Sequence, residues 1–193
     1  MPSPHPIALP APPASRQGLR CLLPGLLAVT LALTACSPTY NWREIRPAGS
    51  PLLALMPCKP EQAERPAPLG ESSVTLHMHS CETGGLTFAV AWAELAASDP
   101  STEALARWRG AALAAIRVDP ARAGETDLQW TPAVRGADQA LGLVAQGTQH
   151  DQRTVQMRAA HFSRGQQVYQ AAIYGPALPD EVVTTFFEGL RLP

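Results

Sequence analysis

The chain predicts an α+β fold: a mainly antiparallel sheet of about six strands, with one helix in mid-chain and one at the C-terminus. Three observations predict it. On either side of Glu82-Thr83-Gly84-Gly85 the side chains alternate between apolar and polar, the pattern of a β-hairpin. Leu105, Trp108, Ala112 and Ile116 recur at helical spacing. Val182, Val183, Phe186, Phe187 and Leu190 repeat that spacing near the end of the chain.

Each element has a local reason. Leu52 to Met56 is a brief apolar run halted by Pro57, and residues 57–62 hold two prolines and read as a turn. Ala63 to Leu69 is a return strand that Pro66 and Pro68 confine to a sheet edge, since proline has no N–H to give to a ladder. Gly70 to Ser73 is a further turn. Val74 to Cys81 then places Val74, Leu76 and Met78 on one face and Thr75, His77, His79 and Cys81 on the other. After the hairpin turn, Leu86, Phe88, Val90 and Trp92 share a face. Asp99-Pro100 opens the mid-chain helix, with Asp as N-cap and Pro at the first helical position, and the helix ends before Asp119-Pro120. Residues 120–139, rich in Gly, Pro and Asp, form a loop or weak strand with Trp130 as an isolated anchor. Three more strands follow, Leu141 to Thr148, Arg153 to Phe162 and Gln167 to Tyr174. Turns at His150-Asp151-Gln152 and Ser163-Arg164-Gly165 join them. Gly175 to Pro179 ends the sheet, and Asp180 and Glu181 sit near the positive end of the last helix.

The first 35 residues have another purpose. Arg16 and Arg20 supply positive charge, no acidic residue precedes Glu44, and Cys21 to Ala35 is an uncharged run rich in Leu and Ala. That run has the length of a signal-peptide core and falls short of the roughly 20 residues a spanning helix needs. It closes on Leu33-Thr34-Ala35-Cys36, which resembles the lipobox of bacterial lipoproteins. The resemblance implies cleavage before Cys36 and a lipid on Cys36. It divides the chain into a signal peptide (1–35), a lipidated tether (36–50) and one periplasm-facing domain (51–193). Ser37, rather than Asp, follows the cysteine, which in lipoproteins implies the outer membrane. Tyr40 and Trp42 in the tether suit either a membrane interface or the covering of one edge of the domain.

Charge narrows the partners. Without its first 35 residues the 193-residue chain keeps 13 of 15 basic and all 16 acidic residues, a net charge of −3. A basic patch of the kind that binds nucleic acid is not expected. Lys59 is the only lysine, and the abundance of Arg, Ala, Gly and Pro matches the coding bias of a GC-rich genome, so single arginines carry less functional weight. No repeat of 20–50 residues occurs.

Cys21 falls in the signal core and Cys36 takes the lipid, leaving Cys58 and Cys81 in an oxidising compartment, where a disulfide is expected. One geometric difficulty attends the pairing. In a simple meander the two would lie roughly 9 to 10 Å apart, on strands separated by a third. Either the Pro57-Cys58-Lys59-Pro60 turn bends to close the gap or the strand order differs.

Catalytic signatures are missing from the sequence. There is no G-x-S-x-G, Ser-x-x-Lys or H-E-x-x-H, and no glycine-rich phosphate or dinucleotide loop. A hydrolase-type enzyme is therefore the third reading, and no cofactor is expected. The one constellation is His77-Met78-His79-Ser80-Cys81. Its two imidazoles project on the same side about 6.5 to 7 Å apart and can reach one Zn²⁺ or Cu²⁺. A disulfide at Cys81 leaves two ligands, with His150 and His161 as candidates for a third. The alternative is a solvent-facing strand surface on which His is tolerated.

The strand ending in Met56-Pro57, the strand Tyr169 to Tyr174 and the closing Phe186-Phe187-Glu188-Gly189-Leu190-Arg191-Leu192 resemble the PsbP-like α/β/α sandwich, over residues 50–192. That resemblance implies a domain that binds or scaffolds other proteins. The expectation is a lipoprotein whose domain binds an envelope partner or supports envelope assembly, with metal binding as the alternative.

Overall fold

The structure, a computed structural model, describes residues 38–71 and 73–193; the lipobox and Cys36 lie outside the described residues. Its centre is the hairpin of β4 (Val74–Thr83) and β5 (Leu86–Glu94), paired antiparallel from Thr83–Leu86 to His77–Trp92. A two-residue turn matched to strand twist needs positive φ at both positions, and Gly84 and Gly85 supply +61° and +75°. β3 (Glu61–Ala67) lies outside β4, with Pro66 opposite Thr75. Its edge position tolerates the proline, and its charged, exposed side chains discourage pairing with another chain.

A second meander is made by β7 (Gln139–Thr148), β8 (Thr154–Arg164) and β9 (Gln167–Gly175), and β9 pairs with β5. β6 (Gln129–Trp130) adds two residues to the outer side of β7. The main sheet is antiparallel throughout, in the order β3-β4-β5-β9-β8-β7-β6. It has seven strands where the sequence predicts about six, part of the Gly- and Pro-rich stretch pairing as β6.

Helix α1 (Ser101–Ala115) covers one face of the sheet. Ala104, Leu105 and Trp108 pack with Leu76, Ala91, Ala93 and Val168, and Ala112 and Leu113 with Leu143 and Met157. Asp99 is not its cap. The residue is buried, and its carboxylate accepts from the Glu71 amide at 3.4 Å, while the Pro100 carbonyl accepts the first helical bond from Ala104 at 3.2 Å.

The opposite face carries α2 (Asp180–Glu188) and a small two-stranded sheet of β1 (Arg43–Ile45) and β2 (Ala54–Met56). Leu52, Ala54 and Met56 join Phe88, Val90, Ile173, Phe186 and Leu190 in one buried cluster. Side chains of this size each contribute roughly 1.5 to 3 kcal/mol on burial, so α2 is held by its apolar stripe rather than by a cap. Leu53 and Arg191 exchange backbone hydrogen bonds of 2.9 and 3.0 Å. Gly189 approaches Leu55 so closely that a Cβ there would come within 2.6 Å of it. From Pro38 onward, the stretch expected as a tether belongs to this compact unit. Tyr40 and Trp42 stack at 6.1 Å and turn against Phe88, so both cover the core, and the Asn41 amide donates to the Pro57 carbonyl at 2.7 Å.

Candidate functional site

Cys58 and Cys81 are bonded, with Cα atoms 6.0 Å apart. The geometric difficulty disappears because β2 is not a strand of the main sheet. It lies over the α2 face of that sheet, so the Pro57–Pro60 turn reaches β4 from above rather than from two strands away.

His77 and His79 share the α2 face of β4, as their spacing requires, but each has its own surroundings. His77 stacks flat on Trp92, with ring centroids 4.2 Å apart, and its Nδ1 lies 2.9 Å from the Glu64 carboxylate. His79 is buried, and its Nδ1 has no hydrogen-bond partner. Burial first, and then the neighbouring His77, pull its pKa below the usual imidazole value. Cys81, next along the face, is held in the disulfide. The proposed third ligands are not brought in. His150 lies in the β7–β8 turn, and His161 is on β8, packed against α1 on the opposite face. Among the described residues no three His, Cys, Asp or Glu side chains converge on a point that could hold a metal ion.

His161 is the most perturbed group. It is fully buried, edge-on to Trp108, and its pKa is lowered to about 3, chiefly by desolvation and then by nearby Arg109. Its Nε2 lies 2.9 Å from the Gln170 side-chain nitrogen. The buried Nδ1 has no hydrogen-bond partner. Arg109 is itself buried on α1 and donates to the Ala123 carbonyl; burial lowers its pKa.

Among the open spaces of the described residues, one lies beneath α1 and two lie along α2. Beneath α1, a groove of about 570 Å³ is lined by Leu76, Trp108, Gln170 and Tyr174, with Arg65 and Arg107 at its rim. Burial, opposed by Arg65, pushes the Tyr174 hydroxyl up to about 12, so it stays protonated there. Along α2, a space of about 430 Å³ between Val144, Leu178 and Val183 is followed by another of about 240 Å³ beside Trp130 and Phe187. Arg158 and Val183 border both. The Arg158 guanidinium lies 4.1 Å from the centroid of the Trp130 ring. Trp130 is fixed in turn, donating to the Ala159 carbonyl at 3.2 Å and meeting Phe187 edge-on at 4.9 Å. Gly142 makes this possible, for a Cβ there would come within 2.4 Å of the indole. Among the described residues Arg158 has no ion-pair partner, and its buried Nε has no acceptor.

No family model matches this chain, and no curated protein is significantly similar to it.

The α2 groove escaped the reading of the sequence, although two signals pointed to it. Arg158 is a charge set among Met157, Ala159, Ala160 and Phe162, on a strand that both faces bury. Gly142 interrupts a strand, which often marks the close approach of another group. The arrangement offers apolar surface around one fixed, positive hydrogen-bond fork, which is chemistry for recognition.

Proposed function

We propose that the protein is a lipid-anchored component of the bacterial envelope, held at the outer membrane through Cys36, whose periplasm-facing domain binds a partner protein without catalysis. The lipobox-like Leu33-Thr34-Ala35-Cys36 supports the anchor, and Ser37 supports the outer membrane. Among the described residues no helix is long and apolar enough to cross a membrane. The observation that carries the binding role is the open groove along α2, part apolar and part polar, with Arg158 unpaired in it. The resemblance to PsbP-like domains tilts the same way.

A photo-crosslinking residue at Val144, in the full chain expressed in cells, tests both halves. The reading expects a discrete crosslinked protein in the outer-membrane fraction, lost when Cys36→Ala frees the domain from the membrane. Absence of any discrete adduct, or an adduct formed equally by the Cys36→Ala chain, counts against it. A second reading, a metal held by His77 and His79, draws on the unpartnered Nδ1 of buried His79. A titration given below tests it.

A further inference from the structure

We infer that the groove along α2 takes a peptide segment carrying one carboxylate between apolar side chains, and that Arg158 is the residue that selects it. The inference rests on the partner-binding reading and names the chemistry of the partner.

The groove is two spaces, each lined by apolar and polar side chains together, that share one cation. One space is bordered by Val144, Leu178 and Val183, the other by Trp130, Ala133 and Phe187, and Arg158 faces both. Val144 is one of two large apolar side chains that stand exposed among the described residues, at 38 %. It lies directly across the β7–β8 ladder from Arg158, so both stand on the α2 face of the sheet. A ligand complementary to this surface alternates apolar, acidic and apolar groups.

Arg158 is prepared for that acid. The cation–π contact with Trp130 restrains the guanidinium, and a fork held in place loses less freedom when it binds a carboxylate. No carboxylate of the described domain occupies it. Three acids also line the groove, Asp127 and Asp180 in one space and Glu188 in the other, and none of them pairs with Arg158. They disfavour a polyacidic ligand and favour a single carboxylate placed over the middle. A charge-assisted bidentate contact half-shielded from water is among the stronger polar contacts, so its loss is expected to be measurable.

The probe is a positional-scanning library of nonapeptides, titrated by fluorescence polarisation against the purified full chain. The expected result is selection of Asp or Glu at one position with apolar residues beside it. Arg158→Gln should then weaken the selected peptide about tenfold or more. Arg158→Lys, which keeps the charge but not the fork, should fall between. Val144→Glu, at an exposed site, should also weaken binding while leaving the unfolding midpoint in place. No bound peptide, bound peptides without an acidic preference, or equal affinity for Arg158→Gln would each overturn the inference. Peptides indifferent to Arg158 but lost on Arg65→Gln would move the partner beneath α1, which sinks this assignment and leaves the partner-binding reading intact.

Discussion

Lowering the pH should destabilise the domain through His161 in particular. The ring is neutral in the fold, its pKa held at about 3 by burial and by Arg109, against about 6.5 in the unfolded chain. A lowered histidine pKa costs stability as the pH falls, because below 6.5 the unfolded chain takes up a proton that the folded one refuses. The cost grows by about 1.4 kcal/mol for each pH unit, from the unfolded pKa down to the folded one. At pH 5, some one and a half units below 6.5, it amounts to about 2 kcal/mol, with none of it present at pH 8. That is a large share of the 5 to 15 kcal/mol that hold a typical domain together. Urea unfolding at pH 8, 7, 6 and 5 measures it, with His161→Gln as the control. Other groups titrate in the same range, and His79, whose pKa is also lowered, acts in the same direction. The difference between the two proteins isolates His161. The wild type should lose about 2 kcal/mol more than His161→Gln between pH 8 and pH 5. Parallel stability curves for the two would refute the reasoning, as would an imidazole nitrogen signal showing His161 protonated near pH 6.

Reduction of Cys58–Cys81 should cost roughly 3 kcal/mol, the chain entropy of the loop it closes; unchanged urea midpoints with and without a dithiol reductant would contradict this. Cys36→Ala should leave an unprocessed precursor that takes up no labelled palmitate, and a variant that still matures and still partitions with membranes would end the lipobox reading. Gly142→Ala drives a methyl into Trp130 and should destabilise by about 1 to 3 kcal/mol, with an altered tryptophan emission; a silent substitution would mean that the indole does not cross β7. Calorimetric titration with Zn²⁺ should give no stoichiometric heat, since His77 is stacked and paired with Glu64 and Cys81 is bonded, whereas a site of micromolar affinity or better lost in His79→Ala would restore the metal reading.

What the sequence discloses depends on whether the cause is local. The hairpin at Gly84-Gly85 needs positive φ within four residues of chain, and both helices announce themselves through one apolar stripe. These disclosures are local, and the hairpin and both helices lie where the sequence predicts. The place of β2 is different. Nothing within Leu52 to Met56 distinguishes a sheet strand from a strand lying across a sheet, and only its partners β1 and the Leu53–Arg191 pairing decide it. The same long-range choice explains why Cys58 and Cys81 meet although a meander would part them. Asp99 carries a capping signal that distant Glu71 overrides. The α2 groove was hidden for a related reason. It is made by β6, β7, β8 and α2 together, and Arg158 becomes conspicuous only once both faces of β8 are known to be covered.

The fastening of the first described residues to the sheet has a mechanical consequence. The Thr83 hydroxyl donates to the Thr39 carbonyl, and Tyr40 lies against Gly84, so this segment is pinned to the tip of the β4–β5 hairpin. Pro38 stands two residues after Cys36, and two residues of extended chain span at most about 7 Å. If Cys36 carries an acyl group as proposed, only this short length of chain separates the lipid from the pinned segment. On that proposal, the reach of the domain is set by the length of chain after Cys36. Inserting ten to twenty flexible residues after Ser37 would then change which proteins the domain can reach while leaving its fold and its groove untouched.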